Sequence, residues 1–179
     1  MRARDWYFQG WERRERDGKT ELVYTGEYYT LPGGDVSAKA RCVGLAAALA
    51  AVYAVVALCP SAGGMWHIAA IPQLLELIPL VYLIIGAVCL LVTAQPMTYR
   101  GWYTSWRRMR CASAWSFGFT AVMTLVQLVY ILALGEGTLG RELLYLAGVV
   151  VCAALSLALV LYFRKNPCSA SAARSEKES

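Results

Sequence analysis

Histidine is almost absent from these 179 residues: only His67 occurs. A bis-histidine haem is thereby excluded, and a histidine-based metal site has no second ligand. Neither CxxC nor HExxH appears, although there are six cysteines, so redox dithiol, zinc-knuckle and metalloprotease chemistries lack their ligands. Charge is scarce as well, at 16% of residues against 58% hydrophobic, far from soluble averages. No nucleophile–base pattern stands out. The chain is expected to be no enzyme, with no metal and no cofactor.

What is abundant is apolar sequence, gathered into runs at about 42–59, 71–94, 112–134 and 143–163. Each is long enough to cross ~30 Å of hydrocarbon at ~1.5 Å per helical residue. A soluble bundle would need a polar face on every helix, and 42–59 has none. Sixteen of the seventeen Lys and Arg residues lie in 1–41, 95–111 and 164–179, with Arg141 the exception. Cytoplasmic segments collect such charge, so both termini are expected inside a bacterial cytoplasmic membrane. The net charge of +5 then answers to anionic inner-leaflet lipid rather than nucleic acid. The first forty residues are charged and aromatic, so the first span is expected to be its own insertion signal.

The expected fold is an all-α integral membrane bundle of four up-down-up-down helices over 35–165. A cytoplasmic β-hairpin and hinge at 1–34 precede it, and a disordered tail at 166–179 follows. Short outer loops should make spans one and two, and spans three and four, antiparallel hairpins. In the first span, Gly44, Ala48, Ala51 and Ala54 share one face, and small faces let helices approach closely in lipid.

Asp17-Gly18 signals a two-residue hairpin turn. Folding about it pairs residues whose numbers sum to 35, so Arg14 faces Glu21 and Trp11 faces Tyr24. Continued outward, the same register sets Tyr7 against Tyr28 and Trp6 against Tyr29. Gly10 and Gly26 beside the register suggest a bulge or a close approach. Leu31-Pro32-Gly33-Gly34 reads as a hinge. A lone hairpin is marginal in water, so this one should dock on the inner loop that holds Trp102 and Trp106, or on interfacial lipid. It is then either a local cap or a platform for a membrane-complex partner, formed by Trp6, Tyr7, Trp11, Tyr24, Tyr28, Tyr29, Trp102 and Trp106.

The spans carry a few polar residues. Glu76 lies in the second run between Pro72 and Pro79, and a carboxylate there needs a reason. Counting from the outer ends of the runs sets Gln127, Tyr53 and, somewhat nearer the surface, Tyr130 at a similar depth. Ser113, Ser116, Thr120, Thr124 and Gln127 step along one face of the third run, with Tyr145, Gly148, Cys152 and Ser156 on the fourth. The cluster of Glu76, Gln127, Tyr53 and Tyr130 is either interhelical glue or a solute or proton site. The leading expectation is a non-enzymatic scaffold or accessory subunit; the alternative is a small-solute or ion carrier acting as a homo-oligomer.

Overall fold

A computed structural model describes residues 10–16, 19–32, 35–59, 61–65, 67–133 and 139–171. It is predominantly helical, with four helices long and apolar enough to cross a membrane. The long helices are α1 (Asp35–Leu58), α3 (His67–Val92), α5 (Arg108–Ala133) and α6 (Leu139–Lys165). A single turn, α2 (Ala62–Met65), joins α1 to α3. Another, α4 (Tyr99–Trp102), leads through a π-helical turn at Tyr103–Arg107 into α5. The protein is a polytopic membrane protein.

The pattern is inverted relative to a soluble bundle. Leu74, Val92 and Leu132 face outward, while Glu76, Ser116, Thr120, Gln127 and Ser156 are fully buried. With lipid outside, burying a leucine gains little, and polar groups must find partners within the bundle. On α6 the buried residues are Glu142, Tyr145, Val149, Cys152, Ser156, Leu159 and Phe163. These steps of three and four average 3.5, the period of a left-handed supercoiled seam. The broadest contacts join α3 to α5 and α5 to α6, with α1 lying against α6 and α3. Consecutive long helices are therefore neighbours, although α1 packs more on α6 than on α3.

The face of α1 in contact with the bundle differs from the expected one. Ala38, Cys42, Ala46, Leu49, Tyr53 and Val56 are buried, whereas Gly44, Ala48, Ala51 and Ala54 are exposed. The close approach comes instead from a glycine of the partner helix. A Cβ at Gly148 would sit 2.4 Å from Cγ2 of Val56.

At the basic end the strands form a cap. β1 (Trp11–Arg16) and β2 (Lys19–Tyr24) pair in the expected register, with Trp11 opposite Tyr24 and Arg14 opposite Glu21. The turn at 17–18, the hinge glycines 33–34 and the aromatic pair Trp6 and Tyr7 lie outside the described residues. β3 (Tyr28–Thr30) pairs with β4 (Ser169–Ser171), and Tyr29 also exchanges both backbone bonds with Met97 at 2.8 Å. The chain leaves the hairpin where the Gly10 carbonyl accepts from the amides of Thr25 and Gly26, with Gly10 at φ +85°. Residues 169–171, expected within a disordered tail, are thus part of the cap.

Replacing Gly148 by Leu should lower stability in detergent by about 1–3 kcal/mol, because Val56 is rotamer-locked and buried. Gly118→Leu, with nothing within 4 Å of its Cβ position, should be close to neutral. Thermal unfolding of the two variants checks the contrast.

Candidate functional site

Polar side chains inside the bundle form two layers. The first lies near its middle. Glu76 of α3 is fully buried, and its Oε1 accepts a hydrogen bond from the Ser116 hydroxyl of α5. Its Oε2 has no hydrogen-bond partner among the described residues. One turn along α5, the Thr120 and Ser156 hydroxyls meet at 3.3 Å. Each also bonds back to its own helix: Thr120 to the Ser116 carbonyl at 2.8 Å and Ser156 to that of Cys152 at 2.9 Å. Each hydroxyl has one proton, so when one of the pair bonds back to its own helix the other can donate across the interface.

The second layer closes the end opposite the cap. Glu142 is buried in the first turn of α6. Its Oε2 accepts from Ser61 Oγ and from Gln127 Nε2, each at 2.7 Å, and its Oε1 accepts from the Ala62 amide at 2.9 Å. Ser61 also accepts from the Gly64 amide at 3.0 Å, so the short turn α2 is pinned to the bundle by a single carboxylate. An acidic group in the first turn of a helix is favoured by the partial positive charge there. Between the layers, Tyr145 Oη donates to Gln73 Oε1 at 3.1 Å, and Tyr53 Oη donates to the Gln73 carbonyl.

The residues expected to cluster are therefore divided. Gln127 bonds to Glu142 rather than Glu76, and Glu76 bonds to Ser116. Ser116 lies eleven residues before Gln127 (127 − 116), a rise of about 16 Å along α5. Tyr53 reaches α3 at Gln73, a turn away from Glu76, and Tyr130 is buried on the Gln127 face. Depth counted from the ends of apolar runs misplaced Glu76, because α3 begins before its run and the carboxyl sits nearer mid-bundle. Glu142 precedes the apolar run 143–163 by one residue; the signal of its burial is a carboxylate three residues into a helix, facing Gln127.

The aromatic residues expected to dock a partner are largely engaged within the chain. Tyr29 stacks on Trp102 at 4.8 Å, and Trp106 is buried edge-on against Phe163 at 4.8 Å. Tyr24 Oη donates to the Glu27 carbonyl and accepts from the Tyr99 amide at 2.9 Å, while its ring meets Tyr28 at 5.1 Å. Trp11 packs on Tyr24 but remains exposed. Burial beside Cys42 pushes the Cys168 thiol up to about 12, so it is a poor nucleophile. Burial and a hydrogen bond to Glu27 raise Tyr29 as well. Among the described residues no three His, Cys, Asp or Glu side chains come together to hold a metal.

Compared with known proteins, the chain matches no family model, no curated protein and no solved structure.

Removing the Glu142 carboxylate orphans the Gln127 amide and both donors of the 61–62 turn. Glu142→Ala should cost about 2–3 kcal/mol and accelerate amide exchange at residues 61–65. Ser61→Ala, which deletes only one donor, should cost about 1 kcal/mol or less. Equal effects would contradict the arrangement.

Proposed function

We propose that the protein is a small proton-linked carrier in which Glu76 is the titrating group. One observation carries this reading: a wholly buried mid-bundle carboxyl that, among the described residues, has one hydroxyl donor and one oxygen without a hydrogen-bond partner. The magnitudes favour use over glue. Placing a charged side chain at the centre of a span costs on the order of 2.5–3.5 kcal/mol. One interhelical hydrogen bond returns only ~0.6 kcal/mol on average. A structural bond alone would be made more cheaply by serine or threonine, as Thr120 and Ser156 already do. Intramembrane carboxyls of this kind serve proton and cation exchange.

The basic end, with both termini, is proposed to face the cytoplasm of a bacterial cell. Four helices around a filled core leave little room for a pathway within one chain, so the working unit is proposed to be a homo-oligomer. Glu142, held by three donors, is assigned a structural role at the opposite end. The reading of a non-enzymatic accessory subunit rests on a separate observation, the exposed Trp11 on a β1–β2 pair that has no third strand among the described residues. The internal packing of Tyr29, Trp102 and Trp106 weighs against a broad aromatic platform and in favour of a cap.

Vesicles containing the purified protein and an internal pH dye should respond to at least one of sodium, potassium or ethidium. Glu76→Gln should abolish that response while Glu142→Gln retains a measurable share of it. An unchanged response in Glu76→Gln removes the carrier reading. Loss of a co-purifying protein on deleting residues 1–31, with Glu76→Gln silent, would favour the accessory role.

A further inference from the structure

On the outer surface of the bundle, α3 and α5 part to leave a groove of about 670 Å³, lined by residues on either side of Glu76 and Ser116 but by neither of those two. Its floor and walls are apolar, including Ile78, Trp115 and Phe119, and one end is ringed by Tyr82, Arg107 and Arg108. That end is the basic end of the bundle. From Arg108 to Phe119 is eleven residues (119 − 108), or about 16 Å along α5. Half of a ~30 Å hydrocarbon core is about 15 Å. The groove therefore spans one leaflet, from the headgroup level to the midplane.

The cationic end is built by the backbone. Tyr103–Arg107 form a π-helical turn, a local widening often found at functional sites. In a regular helix Arg108 would point about 140° away from Tyr103 (five residues at ~100°); here Tyr103, Arg107 and Arg108 all line the same groove. The Arg107 guanidinium lies 4.6 Å over the Tyr103 ring, and that of Arg108 lies 5.6 Å over the Tyr82 ring. Face-on stacking orients a guanidinium and leaves its N–H edge for a bidentate anion.

We propose that this groove is a binding site for one anionic phospholipid, with its phosphate on Arg107 and Arg108 and one acyl chain along Ile78, Trp115 and Phe119. Charge complementarity at one end and a one-leaflet apolar trough at the other select this occupant over a zwitterionic lipid or a free anion. The proposal is independent of Glu76.

The test uses the full chain in nanodiscs of equal phosphatidylglycerol and phosphatidylcholine, extracted in mild detergent, with retained lipid quantified by mass spectrometry. Wild type should retain phosphatidylglycerol in excess of the supplied ratio. A basic group near the membrane surface contributes ~1 kcal/mol, so each of Arg107→Gln and Arg108→Gln should reduce that excess about five-fold. Arg164→Gln, outside the groove lining, should leave it unchanged. Ile78→Trp fills the trough from an already exposed position and should expel the lipid without harming the fold. Excess inorganic phosphate should not displace it. A wild-type ratio equal to the supplied one, an undiminished ratio in both arginine variants and in Ile78→Trp, or displacement by phosphate overturns the proposal.

Discussion

Hydrocarbon offers no hydrogen bonds, so each polar side chain within a span must be met by a neighbouring helix or by its own backbone. That constraint organises α3, α5 and α6. Ser116 meets Glu76, Thr120 meets Ser156, Gln127 meets Glu142 and Tyr145 meets Gln73. Sliding any of these helices by one turn would break several bonds at once, so the polar layers fix the relative heights that nondirectional packing leaves open. α1 is attached differently. Besides the Tyr53–Gln73 bond and one from Lys39 at its basic end, it packs by shape, through Leu49, Val56 and the gap at Gly148.

The cap follows the same logic at the interface. β3 is the hub: on one side it bonds to Met97, on the other to β4, and its Tyr29 ring stacks on Trp102. The segment before α1, the loop after α3 and the segment after α6 are thereby joined. Lys39 adds a bond to the Thr93 carbonyl at 2.8 Å, a cation at the C-terminal end of α3, where the helix dipole favours it. The resulting lid lies at the end that also bears Arg107 and Arg108.

Features governed by local periodicity were legible in the sequence. The four spans follow from run length, the Trp11–Tyr24 register from the turn at 17–18, and the inward stripe of α5 from its hydroxyl spacing. Features governed by tertiary fit were not. The partner of Glu76 depends on how far α3 extends beyond its apolar run, which hydropathy does not encode. Glu142 looked like a loop residue because helix α6 begins before its apolar stretch does. Ser169–Ser171 carries no strand pattern, and it pairs only because Tyr28–Thr30 offers an open edge. The inward face of α1 was misjudged because small residues were expected to pack inward, whereas in lipid an outward alanine is equally comfortable.

The central claim is that Glu76 answers to Ser116 and not to the Gln127 layer. A double-mutant cycle on unfolding in detergent measures this directly, using Glu76→Gln, Ser116→Ala and Gln127→Ala. The account gives a coupling of about 0.6–1.7 kcal/mol between positions 76 and 116 and none beyond error between 76 and 127. Coupling of Glu76 to Gln127 with none to Ser116 would contradict it.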